Sequence, residues 1–270
     1  MSTLRFHDLI ANYHTHTTRC RHANGTDRDY VESAIAGGLK ILGFADHSPY
    51  VFDGDYYSGF RMKLEQTEDY VSSLLSLREE YRGKIDIYVG FEMEYYPAYF
   101  ERTLEFLSQF DYDYLILGQH FIENEINAQY SASFGDNEEY LKKYADQCIE
   151  GMKTGAFSYL VHPDLAGFFG DEKIYRYHAR RICESAAELN IPLELNLLGV
   201  RGNRHYPRVE FWEEAARVGN DVIFGVDAHD PAWLNDNEPL HKAYELVDSL
   251  GLNVIDKLDS FKFPRKAYNL

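Results

Sequence analysis

Short apolar runs that end in histidine or carboxylate recur along the whole chain, and nothing else in the sequence limits its fold as sharply. The runs cover residues 9–15, 40–45, 85–92, 112–119, 157–161, 191–196 and 221–226. Between them apolar residues step at helical spacing. Tyr70, Leu74, Leu77 and Tyr81 advance by four, three and four positions, as do Leu141, Ala145, Cys148 and Met152. Tyr175, Ala179, Ile182, Ala186 and Leu189 make a third stripe, and Leu240, Ala243, Val247 and Leu250 a fourth. Such stripes are the buried faces of helices laid on a sheet, so their Met and aromatic members read as core. Seven strand–helix units in series predict a parallel sheet with right-handed crossovers.

What ends the runs decides between an open sheet and a closed one. His14 and His16, His22, His47, Glu92, His120, His162, and Asp227 with His229 lie at or just beyond strand exits. Seven of the 11 histidines belong to this set. An open sheet would leave its outer strands far from a common point, whereas the carboxyl ends of a barrel form a ring. The expected fold is therefore α/β, a distorted seven-stranded (β/α)7 barrel with its site at the carboxyl ends of the strands.

Residues i and i+2 on a strand share a face, so both imidazoles of His14-x-His16 can reach one ion, and Asp227-x-His229 repeats the logic. A lone His-x-His pair is as readily structural, and a lone His22 beside Asn24-Gly25 as readily a solvated loop residue. Glu92 ends the apolar run IYVGFE and needs a cation or several donors. An arginine is the alternative partner, but no basic residue lies nearby in sequence. A carboxylate can bridge two metals and an imidazole cannot, which makes Glu92 the natural bridge. Nine donors exceed the needs of one ion and point to a polynuclear centre. His7, His178 and His241 lie on polar or helical stretches and are expected at the surface; His205 stays unassigned.

No linker, repeat or charge block divides the 270 residues, so a single domain, 1–270, is expected. The formal net charge of −17 argues against a nucleic-acid partner and against anionic membranes. No run approaches 18 apolar residues, and Cys20, Cys148 and Cys183 form no disulfide framework, which reads as a soluble, cytoplasmic chain. The 22 tyrosines suggest a partly polar interior or half-buried rings at helix–sheet contacts.

The series His14-Thr15-His16, His22-Ala23-Asn24-Gly25, Asp46-His47-Ser48-Pro49, Glu92, His120-Phe121, His162-Pro163-Asp164 and Asp227-Ala228-His229 resembles the polymerase-and-histidinol-phosphatase (PHP) superfamily. HPDL at 162–165, LELN at 193–196, Gly199-x-Arg201 and Tyr206-Pro207 bring it nearest to the histidinol-phosphate phosphatase branch. Leu197-Leu198 and Val226 depart from that branch, where smaller or hydroxylated residues are usual.

The resemblance implies three divalent ions, zinc, iron or manganese. One would sit on His14, His16, Glu92 and Asp227, a second on Glu92, His120 and His162, and a third on His22, His47 and His229. It implies hydrolysis of L-histidinol phosphate, a small phosphorylated metabolite, by a hydroxide bridging the ions that share Glu92. Asp227, or solvent on the third ion, would supply the proton to the leaving alkoxide. Arg201 and Arg19 are the expected phosphate ligands, each with a surface salt bridge as its alternative. Asp53, Asp55 and Asp164 are candidates for the cationic end of the substrate or solvated loop acids. The alternatives are a phosphoesterase acting on nucleotides or oligonucleotide ends and a non-catalytic module of a polymerase. The latter tends to lose ligands, and here all nine positions are filled.

Overall fold

The computed structural model describes residues 9–262, so His7 lies outside the described residues. Strands β1 (Ala11–Asn12), β2 (Ile41–His47), β3 (Asp86–Met93) and β4 (Tyr114–Leu117) form one parallel sheet in chain order. Strands β5 (Leu193–Asn196), β6 (Asp221–Gly225) and β7 (Asn253–Val254) form a second. The helices are α1 (Asp27–Ala36), α2 (Thr67–Glu80), α3 (Phe100–Leu107), α4 (Glu138–Lys153), α5 (Glu172–Glu188), the short α6 (Leu197–Arg201), α7 (Val209–Val218) and α8 (Glu238–Leu250). Among the described residues no helix is long and apolar enough to cross a membrane.

The parallel α/β architecture holds, but the strand plan differs from expectation in two places. Residues 157–161 do not form a strand. Leu160 alone makes parallel bridges, to Leu117 on one side and Leu193 on the other. Pro163, which has no N–H, and His162, whose φ is +31°, end the extended path there before a ladder develops. The strand β7, not anticipated, follows α8 and pairs with the start of β6. At the opposite edge Thr15 bridges Ala228, with His16 N–H donating to the Ala228 carbonyl at 2.9 Å. Isolated parallel bridges thus join the two sheets at both edges, and the sheet curls so that strand exits face one another.

Local sequence explains the helix limits. Thr26 caps α1 by accepting from Asp29 N–H while the Asp29 carboxylate accepts from Thr26 N–H. Asn137 and Asp171 cap α4 and α5 in the same manner as single acceptors. Gly219 and Gly251, at φ +84° and +66°, end α7 and α8 in the left-handed conformation that a side chain disfavours. The core residues of the four stripes lie buried against the sheet, with Leu189 and Leu250 only partly covered. A smaller apolar cluster includes Tyr13, Ala45, Tyr114, Ile116, Tyr159 and Val161. In it the Tyr114 hydroxyl donates to the carbonyls of Tyr13 (2.6 Å) and Phe44 (3.1 Å). Several of the chain's tyrosines are therefore buried with their hydroxyls tied to backbone.

Candidate metal centre

The register of β2 and β3 sets His47 directly opposite Glu92, both on the last turns of their strands. Period-two alternation puts Gly43, Ala45 and His47 on one face of β2, and Gly90 and Glu92 on the matching face of β3. The small residues leave room for the Tyr114 ring behind the site; a side chain at Gly90 would meet it. Two glycines serve the site itself. A Cβ at Gly118 would strike the Glu92 carboxylate, and one at Gly225 the Glu194 carboxylate.

Around Glu92 the expected donors converge. Its Oε1 lies 2.8 Å from His162 Nε2 and 3.4 Å from His120 Nε2. Its Oε2 lies 2.9 Å from His47 Nδ1 and 3.6 Å from Nε2 of both His14 and His16. Asp227 Oδ1 approaches His16 Nε2 to 3.1 Å and His14 Nε2 to 3.6 Å. The two oxygens of one carboxylate thus face two different sets of imidazoles. A third set lies beside them, with His22 and His229 placing their Nε2 atoms 3.0 Å apart. The His47 ring centre is 5.4 Å from that of His22 and 6.4 Å from that of His229. Cys20 Sγ is also within ligand-sharing distance of His22 and His229, a neighbour the sequence reading left out.

The inward nitrogens are set by what holds the outward ones. A carboxylate or carbonyl can only accept, so its histidine partner must carry the proton on that side. His14 Nδ1–H donates to Glu194 Oε1 at 2.8 Å, and His120 Nδ1–H to Glu94 Oε1 at 2.9 Å. His16 Nδ1–H points at Asp46 Oδ1, 3.4 Å away. His22 and His229 donate to the carbonyls of Cys20 (2.8 Å) and Asp227 (3.0 Å). In all five rings the Nε2 lone pair is left facing inward, the arrangement that metal ligation requires.

Three buried atoms at the centre, Glu92 Oε2, Asp227 Oδ1 and His47 Nδ1, make no hydrogen bond of good geometry, although Oε2 and Nδ1 stand 2.9 Å apart and Oδ1 stands 3.1 Å from His16 Nε2. Burying such atoms unpaired is costly, and cations between them would remove the cost. The donor set fits divalent metal ions. By themselves the carboxylates and histidines hold one another charged. Against burial, Glu194, Asp227 and Glu92 raise His14, Asp227 and Asp46 raise His16 to about 9, and Glu92 and Glu94 raise His120, so ions binding there would displace protons. Burial pushes the Glu92 carboxyl up, but His120, His47 and His14 hold it well below the ordinary carboxylate range. Asp227 is likewise held low against burial, by His14 and His16. His229 is pushed down to about 3 by burial and by His16, so its lone pair stays free. The His162 and Asp227 backbones sit at φ +31° and +51°, a left-handed conformation that costs a branched or β-substituted residue on the order of 1 kcal/mol. Asn196 steadies the latter, donating to Asp227 Oδ2 (3.1 Å) and Glu194 Oε2 (2.9 Å) while capping α6.

A cleft of about 500 Å³ opens onto the ligands. Beyond them its walls include Phe60, Phe121, Tyr130, Leu198, Arg204, Tyr206 and Trp233. The arginines expected there stand elsewhere. Arg19 is gripped by Asp27 (2.9 Å) and Asp69 (2.8 Å), and Arg201 by Asp236 (2.7 Å) with its guanidinium over Trp233. Neither lines the cleft; Arg204 does, donating to the Tyr206 hydroxyl at 2.7 Å. Nor do the three acids line it. Asp53 pairs with Arg102, Asp55 borders a separate shallow pocket, and buried Asp164 accepts from Arg208 N–H and Trp212 Nε1–H. His178, expected at the surface, is buried on α5 beside Arg181.

Sequence reasoning gave no role to Glu94 or Arg204, nor to Asp46 and Glu194, which it met only as members of the Asp46-His47-Ser48-Pro49 and LELN motifs. The i, i+2 rule that paired His14 with His16 also relates Glu92 to Glu94, and Glu194 is an acid inside a buried strand, so both carried a readable signal. Arg204 had none, because only the turn after α6 brings it round.

The PHP domain family profile matches residues 12–197, more than half of the 270-residue chain. A Bacillus subtilis protein named histidinol-phosphatase is 30% identical over 250 residues, 80% of this chain and 92% of the relative. A Deinococcus radiodurans protein named probable histidinol-phosphatase is 29% identical over 240 residues, 82% of this chain and 87% of the relative. The crystal structure of a Lactococcus lactis histidinol phosphate phosphatase complexed with zinc, L-histidinol and phosphate superposes with a TM-score of 0.73. It is 22% identical, over 94% of this chain and 97% of that one, and shares the fold. With its donors assembled around Glu92 and the family profile spanning most of the strands that carry them, the chain belongs to the PHP domain family.

Proposed function

We propose that this protein is a metal-dependent phosphatase that hydrolyses L-histidinol phosphate to L-histidinol and inorganic phosphate. The observation that carries the reading is the Glu92 carboxylate turned with one oxygen to each of two imidazole sets at the floor of an open cleft. The relatives named histidinol-phosphatase, matched over most of their length, direct the choice of substrate. We assign three divalent ions, zinc, iron or manganese, to the nine donors, partitioned as the resemblance implies; the zinc in the Lactococcus lactis structure is in keeping with this. The bridges at both sheet edges support a closed, distorted (β/α)7 barrel in which Leu160 stands in for a strand, the chain acting as one domain.

Bound divalent ions supply an acidified water and neutralise the charge of the phosphoryl oxygens. The side chains do the rest. Glu92 holds both imidazole sets in one geometry and so fixes where the attacking water meets phosphorus. The new bond is water oxygen to phosphorus; the bond broken is phosphorus to the alcohol oxygen, which must gain a proton. Asp227 borders the cleft, with Oδ2 tied by Asn196, and we assign it the transfer of that proton. Arg204 is the guanidinium placed to take a phosphate oxygen, the role the sequence suggested for Arg201 or Arg19. With no free carboxylate among the non-ligand lining, the substrate's amine and imidazole would meet the aromatic walls of Phe60, Phe121, Tyr130 and Trp233.

Phosphate release from histidinol phosphate and from a panel of nucleoside monophosphates, with enzyme of known metal content, tests this. A kcat/KM for histidinol phosphate no higher than for the nucleotides would reject the substrate in favour of the nucleotide reading. Active enzyme holding at most one metal would reject the mechanism.

A further inference from the structure

Arg61 lies in the long segment between β2 and α2 and is only 1% exposed, unusual for an arginine. Its guanidinium touches the exits of three strands. Nη1–H donates to the carbonyl of Ser48, next to His47, at 2.7 Å. Nη2–H donates to both oxygens of Glu94, two residues past Glu92, at 3.0 Å each. Nε–H and Nη2–H together grip Glu125, beyond His120. The rings of Phe60 and Tyr50 cover the guanidinium at 4.4 and 4.9 Å.

Glu94 Oε1 therefore receives two donors, Arg61 Nη2–H at 3.0 Å and His120 Nδ1–H at 2.9 Å. A buried triad of one arginine and two carboxylates adds little net stability over an apolar packing of the same volume, because desolvation offsets the attraction. What Arg61 does supply is geometry: Nε–H and Nη2–H fork onto Glu125, and the plane so fixed carries Nη2–H to a point between both oxygens of Glu94. Held there, Glu94 keeps the proton of His120 on Nδ1 and turns Nε2 toward Glu92 Oε1 and His162.

We propose that Arg61 is a positioning residue for the metal subsite formed by Glu92, His120 and His162, acting through Glu94 on the orientation of His120. The inference rests on the metal reading above. Without Nη2–H between its oxygens Glu94 can rotate, and the His120 ring loses the partner that fixes its tautomer.

The test is the release of divalent ions from fully loaded protein to a chromogenic chelator, followed in time for wild type, Arg61→Met, Arg61→Lys and Glu125→Gln. In Arg61→Met one release phase should quicken ~10–100-fold, the range for loss of a group that orients a ligand, with the other phases unchanged. Arg61→Lys should fall between, because an ammonium can pair with Glu94 but lacks the rigid plane that holds Glu94 and Glu125 together. Glu125→Gln loosens the same loops without touching Glu94 and should release metal like wild type. A phase pattern in folded Arg61→Met equal to wild type overturns the proposal. Equal acceleration in Glu125→Gln overturns it too, reducing Arg61 to a loop anchor. Should Arg61→Met fail to fold, Glu94→Ala carries the same expectation, and wild-type release from it cuts the link. Wild-type protein that retains no divalent ion after dialysis would overturn the metal reading itself, which separates the two failures.

Discussion

Individual side chains at this centre act through atoms their neighbours leave free. Glu194 and Glu94 occupy the outer nitrogens of His14 and His120, so the inner nitrogens face the cleft as lone pairs. Arg204 is the side chain whose position most changes the reading of the substrate end. Its guanidinium lines the cleft and, among the described residues, hydrogen-bonds the Tyr206 hydroxyl and no carboxylate, whereas Arg201 is paired with Asp236. A charge-assisted hydrogen bond to a phosphate oxygen is worth ~1.5–3 kcal/mol, so Arg204→Met should raise KM for the phosphate ester about 10-fold or more. Metal content should not change. Steady-state kinetics beside elemental analysis checks this, and an unaltered KM would remove Arg204 from the phosphate site. Arg201→Met, which breaks a pair at the edge of the cleft, should leave KM within about twofold.

At the scale of elements, backbone proximity decides what each position tolerates. Gly118, just past β4, has no room for a Cβ because the Glu92 carboxylate lies against it. Gly118→Ala should displace Glu92, cost about 1–3 kcal/mol of stability and lower the metal content of purified protein. Denaturant unfolding with elemental analysis tests both halves; retention of full metal would show that the carboxylate can move aside. On α5, His178 is buried and held below its ordinary value of 6.5, first by burial and then by Arg181. The unfolded chain therefore binds a proton near pH 6.5 that the folded chain refuses. This contribution is intact above that pH and is lost as pH falls from 6.5 toward the depressed folded value. The thermal midpoint of His178→Gln should fall less than that of wild type between pH 7.5 and 5.5, and parallel curves would contradict the assignment.

For the whole molecule, the centre is also a clasp. Its donors come from residues 14 to 229, and Thr15–Ala228 pairing joins the first and sixth strands beside it. Ions bound by the folded form alone at about 1,000 times their dissociation constant add ~4 kcal/mol, which for a chain of this size is roughly 10 °C in midpoint. Chelation should lower the thermal midpoint by about that much and restoration of zinc or manganese should reverse it. A midpoint unmoved by verified metal removal would mean that the ring stands without its ions.

The sequence by itself determined the parallel α/β order and the four helical stripes and singled out nine candidate donors that the fold brings together, because periodicity and strand-end placement are local and survive without tertiary context. Tertiary packing decided the rest. Residues 157–161 are as apolar as any strand, yet proline and a left-handed histidine leave Leu160 alone to bridge. Arg19 and Arg201 look alike in sequence to Arg61 and Arg204. Which guanidinium is spent on a surface carboxylate, which is buried among two acids and which lines the cleft depends on loops whose course no residue-to-residue spacing encodes. Short-range chemistry named the candidate donors; only the folded chain could show what holds each one in place.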